Sequence, residues 1–411
     1  MPQTESTLPA GQVSMELAQS AGYTKKELPN SLSAWGYALL IAGVILSVIS
    51  FMIDPARASF GYLTAYIFLL CISVGSLFLV TMEYVSGAVW SVPFRRISEL
   101  FAASVPFLLL LIIPLFFSMK HLFAWMNPEV VAHDKVWQAR MSYLNVPFFI
   151  IRDVIILLIW WAFYFFIIRN SRKQDSVADQ SLTTINIKLS AAFIPIFAFT
   201  VSVLSFDWLM SMVPKWYSTI FGVYIFADAA WVGFAVVTLA SVLLNEKGYL
   251  SPKIKNDHYY SLGTWMFAFT VFWAYIAFSQ YMLQWYGNLP EEIIYYINRW
   301  NGGWKYVSLI LVIAHFIVPF LFLVPRGSKT NPKILIFASI WIIATQYLDS
   351  YWLVMPSMVN NGFTYTFNPI DFAFPIAAVG LMIVIFTTAA KKHNLLPIGD
   401  PKLKRSWDFH L

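Results

Sequence analysis

Apolar residues in this chain run for about 20 positions at a time, and polar residues gather between the runs instead of alternating within them. At about 1.5 Å per helical residue, a run of about 20 spans the hydrocarbon of a bilayer. Ten such runs are predicted, at roughly residues 33–53, 61–82, 101–119, 147–168, 188–208, 219–244, 262–284, 304–324, 333–353 and 370–390. The pattern predicts an all-α integral membrane protein. Spans 2–5 and 6–9 are expected to form two four-helix bundles, with spans 1 and 10 flanking them. Residues 61–208 and 219–353 also read as parallel repeats. The last helix of each set ends in a similar way, Phe206-Asp207-Trp208 in one and Leu348-Asp349-Ser350-Tyr351-Trp352 in the other.

Charge then orients the chain. Lys and Arg number 19 in the N-terminal segment, the even loops and the tail, against 7 in the odd loops, with Arg152 just inside span 4. This asymmetry predicts that both termini are cytoplasmic. Residues 1–30, with Glu5, Glu16, Lys25, Lys26 and Glu27, form a polar N-terminal segment without the basic start and short apolar run of a cleavable signal, so the first span is expected to be retained. Residues 31–390 form the transmembrane domain and 391–411 the tail. A composition of 59% hydrophobic and 12% charged residues agrees with this reading, and topology accounts for the net charge of +6 without invoking nucleic acid.

Ionisable groups are costly in hydrocarbon, so those inside spans mark cavities, partners or proton routes. Asp228 is the deepest acid, with Tyr224 and Trp231 one turn away on its helix face. His315 lies near the middle of span 8, and Pro319 four residues later cannot donate to its carbonyl. With Glu83, Asp207 and Asp349 they form a candidate proton path of two half-routes, since carboxylate and imidazole each take up and release protons. His121, Arg152, Asp153, Gln280 and Gln284 are candidates for a quinone or polar pocket. Each has a plainer reading. Arg152 and Asp153 could anchor the interface, and being adjacent they point about 100° apart on a helix. Glu83, Asp207 and Asp349 lie close enough to the headgroups to be solvated. Asp371, after Asn368-Pro369, reads as an acid in a capped first turn. Aromatic clusters such as Trp160-Trp161 and Trp300 to Trp304 read as interface belts, and the Lys391-Lys392-His393 and Lys402/Lys404/Arg405 clusters as contacts with anionic lipid.

Several chemistries are excluded. One cysteine, Cys71, allows no internal disulfide, no cysteine-ligated cluster and no Cys-x-x-Cys-His haem attachment, and one deep histidine cannot hold two bis-histidine haems. There is no phosphate-binding Gly-rich loop ending in Lys-Ser/Thr and no His-Glu-x-x-His motif.

The stretches Gly75-Ser-Leu-Phe through Trp90-Ser-Val-Pro-Phe-Arg-Arg96, and Ser205-Phe-Asp-Trp-Leu-Met-Ser211 through Trp216-Tyr-Ser-Thr-Ile-Phe-Gly-Val-Tyr224, resemble the ActF family of membrane subunits of bacterial alternative complex III. That family lies within the superfamily of polysulfide-reductase and nitrite-reductase membrane subunits, and the resemblance covers nearly the whole hydrophobic part. It implies a non-haem subunit of a quinol:electron-acceptor oxidoreductase in the bacterial cytoplasmic membrane. Its expected partners are a related ten-helix subunit, iron-sulfur and c-type cytochrome subunits, membrane lipid and an associated terminal oxidase. Haem c and iron-sulfur clusters would sit in those partners, and menaquinol or another quinone would bind mainly in the sister subunit. The residues alone leave two rivals open, a proton-coupled small-solute transporter and a purely structural subunit.

Overall fold

The computed structural model describes residues 18–19, 21–177, 179–213, 216–361 and 368–411, so Glu5 and Glu16 of the polar N-terminal segment lie outside the described residues. No strand occurs among them. Among the described residues nine helices are long and apolar enough to cross a membrane, and two further segments, bent by 60° at a short break, bring the number to ten if they form one span. The protein is a multi-pass helical membrane protein.

The spans are α1 (Asn30–Ile53), α2 (Pro55–Ser86), the third span α3–α5 (Val92–Ala102, Val105–Leu111, Ile113–Leu122), α6 (Val146–Val177), α7 (Gln180–Trp208) and α8 (Phe221–Glu246). After α9 (Asn256–Gly287) and the short α10 (Pro290–Trp300) come α11 (Trp304–Leu311), a π-helical segment (Val312–Ile317) and α12 (Val318–Leu323), which together make one span. The last two spans are α13 (Pro332–Val354) and α14 (Ala373–Lys392).

Helix ends follow local chemistry. Asp54 caps α2 by accepting from the Arg57 N–H at 3.0 Å, and Asn331 caps α13 by accepting from Lys333 at 3.0 Å. Asn368 accepts from the Ile370 N–H at 3.1 Å, so the capped turn predicted before Asp371 is present. The third span breaks where Pro114 removes a donor one turn after Leu110. The Leu111 carbonyl at the break accepts from the Tyr62 hydroxyl at 2.8 Å.

Spans 2–5 pack on one another, as do spans 6–9, while α1 pairs with α14 at the side. The two four-helix sets meet along α2 and α8, whose apolar stretches are the most completely buried of all the spans. Their contact depends on a glycine. A Cβ added to Gly75 would overlap the Ala229 carbonyl oxygen, and Gly233 faces the Gly75 backbone from one turn further along α8. Small residues at four-residue spacing let two membrane helices approach this closely.

The N-terminal segment and the tail meet at one end of the bundle, called here the terminal end. Lys25 Nζ donates to the Lys391 carbonyl at 3.1 Å, and the Leu395 N–H donates to the Tyr23 hydroxyl at 2.9 Å. Buried ion pairs join the helix ends beneath. Arg95 holds Glu83 at 2.5 Å and also Asp400, while Arg96 holds Glu99 at 2.5 Å and Asp175 at 2.8 Å. At the opposite end Arg57 pairs with Asp371 at 2.7 Å, and the Tyr351 hydroxyl donates to Asp371 at 2.8 Å.

Two aromatic expectations need correction. Trp160 is wholly buried and donates from Nε1 to Thr200 Oγ1 at 2.8 Å, and Trp304 is buried too, so neither is a belt residue. Helical phase decides the first, since the adjacent Trp161 on the same helix is exposed.

Candidate functional site: two buried carboxylate clusters

Three of the predicted path residues converge. Asp228 on α8, His315 in the π-helical segment and Asp349 on α13 each bring a ligand atom to within 4.8 Å of the other two, and all three side chains are buried. Asp228 lies seven residues from the start of α8, roughly 10 Å along it at 1.5 Å per residue. Since Gly75 abuts Ala229, the cluster sits at the seam between the two four-helix sets.

Each residue is held differently. Asp349 accepts from the Tyr224 hydroxyl through Oδ1 at 2.7 Å, and its Oδ2 has no hydrogen bond among the described residues. Asp228 lies beside Asp349, Gln346 and Trp273, yet neither of its oxygens makes a hydrogen bond of ordinary geometry. Both ring nitrogens of His315 are likewise unbonded, although the imidazole faces the Thr345 carbonyl. The rings of Trp231 and Trp273 pack edge-on against it, each with its centroid 4.3 Å away. Gln346, wholly buried beside Asp228, makes no hydrogen bond of ordinary geometry through either end of its amide among the described residues.

Backbone geometry places the histidine. The Val318 N–H donates to the Ile313 carbonyl, five residues back, which is the π-helical pattern. In that register the missing donor of Pro319 falls opposite Ala314 instead of His315, and Trp341 Nε1 donates to the Ala314 carbonyl at 2.7 Å. The polar group freed by the proline is therefore already satisfied. Helix widening, not a free carbonyl, marks the histidine position, and π-bulges of this kind recur at functional sites.

A second cluster lies between α6 and α7 near the opposite end. Arg152 grips Asp207 with two hydrogen bonds of 2.7 Å, and its guanidinium lies over the Tyr143 ring at 3.9 Å. Burial pushes the Tyr143 hydroxyl's pKa up, helped by the Asp207 carboxylate. Asp153 is wholly buried beside Asp207 and Trp208, and neither of its oxygens finds a hydrogen bond of ordinary geometry.

The remaining candidates stand apart from these clusters. Glu83 is tied to Arg95 at the terminal end, eight residues beyond Gly75, roughly 12 Å along α2. Glu83, Asp207 and Asp349, expected near solvating headgroups, are all buried, because neighbouring helices cover the ends of their own. Gln284 accepts from Trp216 Nε1 at 2.9 Å, and that indole stacks on Tyr295 at 3.9 Å between centroids. Burial raises the Tyr295 pKa to about 12, and the Arg299 guanidinium over its ring opposes that shift. Gln280 is buried beside Tyr296. His121 lines an open cleft of about 530 Å³ at the bend of the third span, with Phe51, Ser59, Phe117 and Lys120 among its walls. None of Arg152, Asp153, Gln280 and Gln284 borders that cleft, so the five pocket candidates do not share one site.

Residue-by-residue reading passed over Trp273 and Thr345. A signal for Trp273 exists, since it lies seven residues before Gln280 and eleven before Gln284, on one buried stripe of α9. For Thr345, whose backbone carbonyl does the work, side-chain identity carries none.

No known family model matches the chain, and no curated protein matches it.

Proposed function

We propose that this chain is a non-haem membrane subunit of a quinol:electron-acceptor oxidoreductase of the alternative complex III type, in which Asp228, His315 and Asp349 form the protonatable centre of a membrane-embedded path. The observation that carries the proton reading is the convergence of two carboxylates and one imidazole, all buried, where two four-helix sets meet. Structural ion pairs end in opposite charges, as Arg57 and Asp371 do. Here the two acids face an imidazole and an amide. Groups that can be charged or neutral without losing a fixed partner suit proton exchange. The assignment to an electron-transfer complex rests on the sequence resemblance of residues 75–96 and 205–224, with electrons carried by haem and iron-sulfur partners and quinol oxidised mainly in the sister subunit.

In this reading protons pass between the centre and two flanking groups, Glu83 toward the terminal end and Asp207 toward the opposite end. Tyr224 orients Asp349 through its 2.7 Å hydrogen bond. The indoles of Trp231 and Trp273 hold the imidazole edge-on and exclude lipid.

Two experiments test it. Gentle-detergent purification of the tagged chain, with mass spectrometry and a haem spectrum, is expected to recover multihaem c-type and iron-sulfur subunits. In that assembly Asp228→Asn and His315→Ala are expected to lower the proton-to-electron ratio while electron transfer continues. Unchanged assembly and unchanged ratio in both variants would refute the proton path. The convergence of buried acids at the seam of a helical bundle also suits a proton-coupled transporter, and a lone, colourless protein that takes up solute in vesicles would favour that reading.

A further inference from the structure

We infer that the Asp228–His315–Asp349 centre is also a binding site for one divalent transition-metal ion, held by one imidazole nitrogen and two carboxylate oxygens. This goes beyond the proton reading and concerns what else the same side chains can take.

Geometry comes first. The three donor atoms already lie within 4.8 Å of one another. An ion at about 2.1 Å from each of them at tetrahedral angles needs donors about 3.4 Å apart, a separation that small side-chain rotations reach. Donor availability comes second. Among the described residues no hydrogen bond of ordinary geometry holds either His315 nitrogen, either Asp228 oxygen or Asp349 Oδ2, so these donor atoms are open to an ion. The wholly buried Gln346 amide oxygen, also uncommitted, is a fourth donor within the same cluster.

The surroundings match what metal sites use to orient their ligands. Asp349 is fixed through its other oxygen by Tyr224, and the imidazole faces the Thr345 carbonyl, an acceptor for whichever ring N–H does not meet the ion. Charge agrees as well. Two carboxylates neutralise one divalent ion, which leaves no net charge in the bundle interior. Imidazole with carboxylates favours zinc, manganese or ferrous iron over calcium or magnesium, which prefer all-oxygen shells. A bound ion occupies the same lone pairs that would carry protons, so metal loading is expected to block proton movement through the centre.

The test uses the full chain produced in cells grown with Co²⁺ or Zn²⁺ and purified in mild detergent with a chelator wash. Expected are about one ion per folded chain and, for Co²⁺, visible d–d absorption of a low-symmetry nitrogen and oxygen site. His315→Ala and Asp349→Asn should lose both, the surface control His133→Ala should keep both, and Tyr224→Phe should weaken retention about 10- to 100-fold. His315→Cys covers the case in which the alanine variant fails to fold, since it keeps a ligand and should add a thiolate-to-cobalt charge-transfer band. A folded wild-type chain without metal, metal retained equally in His315→Ala, or a folded His315→Cys protein that carries cobalt without that band would each overturn the inference. None of these results touches the proton-to-electron ratio, so the metal and proton readings fail separately.

Discussion

Two buried pairs of carboxylates occupy the same half of this bundle, and the fold treats them in opposite ways. Between α6 and α7, Asp207 has a cation in bidentate contact and Asp153 sits beside it. At the seam of the two four-helix sets, Asp228 and Asp349 have a phenol, an amide and an imidazole, and the Arg299 guanidinium, which acts on Asp349 electrostatically, donates to the carbonyls of Tyr295, Trp352 and Leu353. Asp207 has a counter-ion in direct contact, whereas Asp228 and Asp349 have none in contact among the described residues. The first arrangement holds helices together. The second leaves two buried acids without a cation in contact.

The largest effect follows from breaking the locked cluster. Arg152→Ala leaves Asp207 buried without its cation and is expected to cost about 3–5 kcal/mol, seen as a large fall in unfolding temperature in detergent. Asp228→Asn, which replaces an acid without a cation in contact or a hydrogen bond of ordinary geometry among the described residues, should cost less than about 1 kcal/mol in the same assay. If the two variants fell equally, the distinction between locked and exchangeable acids would collapse.

Next in size is the helix contact that assembles the seam. Gly75→Leu drives a side chain into the Ala229 backbone carbonyl, which cannot rotate away, so a loss of about 1–3 kcal/mol is expected. The disturbance should reach Asp228, one residue along, and leave the Arg152–Asp207 pair intact. Measuring Co²⁺ retention beside thermal stability in this variant and in Arg152→Ala would show whether the two clusters are structurally independent.

Much of this could be read from the chain, and the reasons are physical. Each span needs only length and apolarity, both local properties, so ten runs were legible and even the helix pair at the 60° bend showed as one run. Asp228, His315 and Asp349 stood out because a polar side chain in hydrocarbon is costly wherever it points. Which of them meet was not legible. That depends on the α2–α8 crossing at Gly75 and on the π-register around His315, and neither leaves a spacing pattern of its own. Glu83 looked solvated for a similar reason. Its partner Arg95 lies beyond the turn, and the Arg95–Asp400 contact joins residues from distant parts of the sequence.

A smaller loss should separate the bonded acid of the exchangeable pair from its neighbour. Tyr224→Phe removes the 2.7 Å hydrogen bond to Asp349 and takes none from Asp228, at an expected cost of about 1 kcal/mol. Combining it with Asp228→Asn tests coupling. A double variant less destabilised than the sum of the two would show that the carboxylates share one environment.

The least effect is expected far from both clusters, at the terminal end, where His393 follows α14. Partial burial, with Arg172 and Arg96 adding to it, lowers its pKa to about 4 from the usual 6.5. A base with a depressed folded pKa is neutral in the native state, and the unfolded chain binds its proton first. Its contribution is therefore complete above about pH 6.5 and is lost as the pH falls toward 4. Since the ring is only half-buried, screening limits the loss to about 1 kcal/mol. His393→Gln should flatten that part of the stability curve and leave the rest unchanged, as followed by unfolding temperature between pH 7 and pH 4. Because His393 packs among Arg96 and Glu99 instead of the buried acids near the opposite end, the same titration should leave cobalt retention in His393→Gln identical to wild type at every pH. A difference would mean that the ion network at the terminal end and the centre at the seam are coupled through α2.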